Sequence, residues 1–162
     1  MEQTETAVDN LKVIVFQLKD EEYGVEVNQV KSIERVEHIT RVPRTPEFVE
    51  GVINLRGVVT PIIDLRSRFQ IENADHSEAT RVIIVTVDGM DVGLIVDAAN
   101  DVIDIASSAV EPPPEVVGGV EAAYIRGVAK LEKRLLILLN LDKVLNPEEV
   151  AEVKEMESGS SK

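Results

Sequence analysis

A short sequence at 54–57, Asn-Leu-Arg-Gly, combines a rigid planar cation with a residue that tolerates turn backbone. Arg56 there presents five donors in a fixed fork, and Gly57 permits the tight turn that would hold the fork at a tip. Such a group either binds carboxylates or the polar edge of a partner, or is simply a solvated turn residue. Carboxylates are abundant, and two spacings would let them work in pairs: Asp97 with Asp101, and Asp88 with Asp91. Paired carboxylates serve glycoside hydrolysis or metal-assisted phosphate chemistry. Asp97, however, stands where a helix N-cap belongs, as does Asn28, and the others fall in polar turns. The two histidines, His38 and His76, have no partner at metal-ligand spacing. No GxxxxGK[ST] or GxGxxG phosphate cradle occurs. Catalytic, cofactor and metal sites are therefore not expected.

Composition narrows the remaining choices. The chain has 162 residues, no cysteine and a formal net charge of −13. Disulfides and thiolate metal sites are excluded. So acidic a protein repels nucleic acid, whose affinity comes from Lys and Arg on phosphate. No run of 18 apolar residues is present to cross a membrane, and MEQTETAVDN lacks the features of a secretory signal, so a cytoplasmic protein is expected. The charge is uneven. Residues 1–10 and 147–162 form acidic tails, whereas 31–69 carry seven Lys or Arg against five Asp or Glu. That basic island is either a docking patch or a solvated face.

Val and Ile account for 40 residues, which favours strands. They fall in an internal repeat. Residues 13–36 align without a gap on 82–105 at an offset of 69, matching Val13/Val82, Ile14/Ile83, Gly24/Gly93 and Val27/Val96. Residues 48–69 align on 124–145 at an offset of 76, matching Gly51/Gly127, Val52/Val128, Leu55/Leu131 and Leu65/Leu141. The second copy thus holds seven extra residues, around PPPEVVGG at 112–119. Three prolines there require a surface loop.

Each copy reads as strand, tight turn, strand, a short helix or turn at 28–33 and its counterpart, a third strand, then a hairpin and a short helix from Asp64. A second helix start lies at Asn146-Pro147-Glu148-Glu149. The expected fold is all-β: two pseudo-repeated five-stranded barrels packed together, with short helices and a C-terminal helix. Closed barrels leave no exposed sheet edge. The expected division is an acidic tail at 1–10, a first repeat at 11–70, a linker at 71–80, a second repeat at 81–146 and an acidic tail at 147–162. Whether each repeat closes its own barrel or lends strands to the other is open at this level. Equivalent residues of the two copies are expected in equivalent places.

Four segments carry a family resemblance: EEYGVEVNQVKSI (21–33), RVPRTPEFVEGVINLRGVVTPIIDLRSRF (41–69), DVGLIVDAANDVIDI (91–105) and RLLILLNLDKVL (134–145). Over roughly 11–146 the chain resembles the CheW-type coupling proteins of bacterial chemotaxis, and the related regulatory domain of the histidine kinase CheA. The resemblance implies SH3-like barrels and no enzymatic activity. It implies an adaptor between the cytoplasmic helical tips of methyl-accepting chemoreceptors and the CheA regulatory domain, recruited to receptor arrays without entering the membrane. The receptor site it implies is the groove between barrels, with Val30, Ile33, Arg56 and Gly57. The kinase site it implies is the proline insertion, with Glu111, Pro112, Pro113, Pro114 and Val116. Some relatives carry an acidic residue where this chain has Ser32. A piece of the kinase itself and a small carboxylate phosphatase are the competing readings.

Overall fold

The computed structural model describes residues 10–36, 38–43, 48–72, 75–87, 89–113, 116–117, 120–132 and 134–144; for Asn100, 116–117 and 120–122 it describes the backbone alone. The strands are β1 (Asn10–Leu18), β2 (Glu21–Glu26), β3 (Val30–Arg35), β4 (Val49–Leu55), β5 (Val58–Asp64), β6 (Arg81–Val87), β7 (Met90–Val96), β8 (Ala98–Ala106), β9 (Val110–Glu111), β10 (Val116–Val117), β11 (Val120–Glu121), β12 (Ile125–Leu131) and β13 (Arg134–Leu139). Two one-turn helices follow the hairpins, α1 (Leu65–Arg68) and α2 (Leu141–Val144). The Asn146 helix start lies outside the described residues.

The strands form two barrels. One sheet runs β8-β1-β2-β13-β12-β9, the other β3-β6-β7-β5-β4. In the first, β8 and β9 are separated only by a 3-10 turn at Ser107–Ala109, so one bent strand supplies both sheet ends. In the second, Thr40 closes the ring by exchanging two 2.9 Å backbone hydrogen bonds with Val52. Each barrel therefore takes two strands from one repeat and three from the other: the repeats exchange strands. The joints are parallel pairings, β2 with β13 and β7 with β5. They superpose in the repeat register, with Gly24 opposite Leu138 and Gly93 opposite Ile62. Leu55 opposite Val58 and Leu131 opposite Arg134 likewise take equivalent places at the hairpin ends.

The alternation of β1 and β6 explains the core. Val13 and Val15 of β1 point into the first barrel, and Val82 and Ile84 of β6 into the second. Ile14, Phe16 and Leu18, with Ile83, Val85 and Val87, point to a common seam between the barrels. Both faces of these strands are buried, so their sequences are continuous apolar runs. The seam is the main core: 23 of the described buried residues belong to it, against six and five inside the barrels. All five aromatic residues of the chain lie there. Phe16, Tyr23, Phe69 and Tyr124 form a chain of ring contacts at 5.3–6.3 Å. Arg68 sits between the equivalent rings Phe48 and Tyr124, at 4.5 and 5.0 Å from their centroids, and its Nε donates to the Val144 carbonyl.

Asp64 caps α1 by accepting from the Arg66 amide, and its counterpart Asn140 accepts from the Asp142 amide in α2. Asn28 and Asp97 are not caps. The 3-10 turn Val27–Gln29 is preceded by Glu26 and has no side-chain cap; the short helix or turn expected at 28–33 is this one turn, and β3 begins at Val30. Asp97 instead receives Arg66 at 2.9 and 2.5 Å and the Lys19 amide at 2.7 Å. Its own amide donates to the Gln17 carbonyl. One carboxylate thus ties the β1–β2 turn of the first barrel to α1 beside the second. Burial raises the Asp97 pKa, but the hydrogen bonds from Arg66 and Lys19 and the Arg66 charge outweigh it, holding the carboxyl below its ordinary value.

Gly51 and Gly127 stand at equivalent bulges where the closing strand crosses. A Cβ on Gly51 would meet the Thr40 carbonyl oxygen at 2.2 Å, so barrel closure requires glycine there. Gly51→Ala should cost about 2–3 kcal/mol in chemical denaturation, because backbone must shift. Asp97→Asn should cost roughly 1.5–3 kcal/mol at pH 7, the range for charge-assisted hydrogen bonds. Because the folded-state pKa is depressed, this stabilisation is complete above the ordinary Asp value of about 4 and lost as pH falls through the lower folded value. Denaturant titrations should find the gap between parent and variant constant from pH 7 to about 5 and closing below about 4.

Candidate functional site

Val30 and Ile33 lie on strand β3, three residues apart, where strict alternation would send them to opposite faces. A bulge at Lys31 restores them to one face. Val30 pairs with Val85 and Ile33 with Ile83, both seam residues, whereas Ser32 pairs with Ile84 of the barrel interior. Strand β8 repeats the arrangement against β1. Ala99 pairs with Phe16, Asp101 with Val15 and Val102 with Ile14, with the extra residue at Asn100. At the offset of 69, Ala99 is the counterpart of Val30 and Val102 of Ile33.

These two strands border a groove of about 440 Å³ lined by Ile14, Ile33, Ala99, Asp101 and Val102. Ile33 and Val102 are 41% and 54% exposed. Val30 is half-buried and packs on the seam beneath. Exposed apolar side chains scattered singly mean little; Ile33 and Val102 instead share one recess. Of the sequence-derived receptor residues, the groove takes in Ile33 directly and Val30 as support. Ile14, Ala99, Asp101 and Val102 were missed. The repeat offset that pairs Val13 with Val82 also pairs Val30, Ser32 and Ile33 with Ala99, Asp101 and Val102, and that signal finds these three but not Ile14. Asp101 falls opposite Ser32 in the same register and brings a carboxylate to the groove.

Arg56 and Gly57 are the two central residues of the β4–β5 turn, with φ of 54° and 87°. Positive φ at both positions matches the twist that a two-residue hairpin needs. Asn54 Oδ1 accepts from the Gly57 amide at 2.8 Å, which fixes the tip. The Arg56 guanidinium is well exposed and pairs with Glu34 of β3 at 3.3 Å. Glu34 pairs with Val82, a barrel-interior position, so Arg56 is held at the end of the second barrel and does not line the Ile33 groove. With Asn54 and Arg35 it borders a separate recess of about 260 Å³.

Glu111 closes the first barrel opposite Val128, and its carboxylate pairs with Lys130 at 3.4 Å. Pro112 is exposed and Pro113 half-buried. Pro114 lies outside the described residues. The insertion then forms a small hairpin, with Val116 opposite Glu121 and Val117 opposite Val120. His38 and His76 are both exposed. Asp97 is engaged by Arg66, and Asp101 accepts from the Val102 amide, so the two carboxylates form no acid–base pair. Among the described residues no group of three or more His, Asp or Glu is placed to hold a metal ion, and no helix is long and apolar enough to cross a membrane.

Known proteins match this chain over nearly all of these elements. The family model of the CheW-like domain matches residues 12–149. The chemotaxis protein CheW of Bacillus subtilis is 44% identical over 137 residues, which cover 85% of this chain and 88% of that protein. The chemotaxis protein CheW of Klebsiella aerogenes is 38% identical over 138 residues, covering 85% and 83%. The crystal structure of the scaffolding protein TtCheW from Thermoanaerobacter tengcongensis aligns with a TM-score of 0.80 at 40% identity, over 86% of this chain and 90% of that one. The two strand-exchanged SH3-like barrels, the NLRG hairpin and the proline insertion are thus those of a chain that belongs to the CheW-like family of chemotaxis scaffolding proteins.

Proposed function

We propose that the chain is a non-enzymatic adaptor that couples methyl-accepting chemoreceptors to the histidine kinase CheA. In this reading it is a cytoplasmic protein recruited to receptor arrays by its partners. The observation that carries the reading is the groove flanked by Ile33 and Val102. A receptor tip is a helical hairpin, and a helix docks where an apolar floor is bordered by polar groups. Ile33, Val102 and Ala99 supply the floor over Val30 and Ile14, and Asp101 a charged border. Arg56 and Gly57, at the nearby end of the second barrel, extend the receptor surface. The kinase regulatory domain would take the insertion from Glu111 to Val116, with Pro112, Pro113 and Pro114 keeping that strip stiff.

The domain division goes with this reading. Residues 11–70 and 81–146 are the two repeats, 71–80 is the linker, and 1–10 and 147–162 are acidic tails. Signal transfer by such a protein rests on fixed geometry, and the deep seam joins the two barrels into one packed body.

Two experiments test the assignment in pulldowns with purified kinase and a receptor signalling fragment. Ile33→Asp and Val102→Asp should each weaken receptor capture at least about tenfold, since burying an unpaired carboxylate opposes docking. Melting temperature should hold within a few degrees, because both side chains are exposed. Receptor capture at parental level by both variants would remove the groove from the mechanism. Arg56→Ala should likewise impair assembly of the ternary complex, against Arg126→Ala as control; Arg126 pairs with Glu26 much as Arg56 pairs with Glu34. In the second experiment, Val116→Asp should weaken kinase capture and spare receptor capture. Equal loss of both partners by a folded variant would mean the two surfaces are one.

A further inference from the structure

The groove between β3 and β8 has two walls that are copies of each other. At the offset of 69, Val30 corresponds to Ala99 and Ile33 to Val102, and each wall carries one extra residue against its neighbour, Lys31 and Asn100. Ile33 and Val102 are the exposed apolar side chains of the two walls. Two copies that border one open recess are related by a pseudo-two-fold axis standing on its floor. A half-turn about that axis exchanges the walls and reverses any helix lying between them. The apolar contacts are therefore nearly the same for both directions of a bound helix. Specificity is a difference between two affinities, and a contact offered equally to both contributes nothing to it.

The polar residues break the equivalence. Asp101 lines the groove and is exposed, and its counterpart on the other wall is the uncharged Ser32. β8 carries Asp101 and Asp104 and no cation, whereas β3 carries Lys31 and Arg35 with Glu34. Most of these charges are answered within the chain: Asp104 by Lys12, Lys31 by Asp91 and Glu34 by Arg56. Asp101 differs. Its Oδ1 accepts from the Val102 amide, and among the described residues it has no ion pair. A carboxylate in this position favours a partner that brings a cation to it and opposes one that brings an apolar or acidic group.

We propose that Asp101 sets the direction in which the receptor helix lies, by accepting from a lysine or arginine one turn away from the apolar residue seated between Ile33 and Val102. Helix residues three or four apart are neighbours on one face, so one short stretch supplies both groups. A reversed helix keeps its apolar contacts but carries the same cation to Ser32, on the wall with Lys31 and Arg35. The inference rests on reading this groove as the receptor site.

The test uses the full-length protein and a receptor signalling fragment with a nitroxide label near one end of its apolar helix. It reads which amide signals of β3 and β8 the label broadens. The two directions broaden different sets, related residue by residue through the offset of 69. The parent should show one set. Asp101→Ser makes the walls alike at this position; it should show both sets and bind about three- to tenfold more weakly, with a shallower dependence on salt. Asp101→Ser combined with Ser32→Asp should show the set opposite to the parent's. Should the double variant fail to fold, Asp101→Ser at an exposed position carries the test. Both sets already in the parent, or the parent's set alone in Asp101→Ser, would overturn the role of Asp101 and leave the groove as the receptor site. A label that broadens neither wall of the parent at saturation would overturn both.

Discussion

The apolar seam between the two barrels is the constraint on which the rest of the molecule depends. Neither barrel has an interior large enough to be a sufficient core; each holds a handful of buried aliphatic residues. The seam adds every aromatic ring and the outward faces of β1, β2, β6 and β7. Domains of some 60 residues bury a smaller fraction of their surface than larger ones do and are marginal alone. Two such barrels become one stable body because strands β1 and β6 bury both faces, one inside a barrel and one against its neighbour.

Strand exchange follows from the same economy of surface. Each barrel is sealed by a parallel joint between strands of different repeats. A chain so crossed cannot separate into its repeats without opening both barrels. The seam is thus protected topologically as well as by burial, and the Asp97 carboxylate reinforces it by holding three segments at one point. The groove with Ile33 and Val102 is the open margin of this seam: its floor residue Ile14 belongs to the seam core, and its flanks are two copies of one bulged strand.

The pseudo-symmetry is close in the scaffold and broken at its surface. Glycines, bulges, caps and parallel joints recur at the two offsets. Arg66 and Asp97 have no matching ion pair, since their counterparts are Asp142 and Asn28. The counterparts of Arg56 and Gly57 at the hairpin tip are Glu132 and Lys133, and the run of three prolines at 112–114 occurs in the second copy alone. Packing holds the duplicated core in place, whereas exposed tips are free to diverge toward different partners.

The sequence by itself determined the fold class, the two registers of the repeat, the hairpin at Arg56–Gly57 and the short helix that starts after Asp64. These are local: they depend on alternation, turn residues and short hydrogen bonds within a few positions. It also named Val30 and Ile33 together through the family resemblance, but not what brings them to one face, which is the bulge of β3. What only the tertiary structure decided was which strands share a barrel, because pairing across repeats depends on long-range burial that both arrangements satisfy equally in pattern. The role of Asp97 was hidden likewise: a cap and an ion-pair partner look alike until Arg66, 31 positions away, is brought to it. Val102 became visible only when β8 was laid against β1, because exposure in a shared recess is a property of neighbours in space.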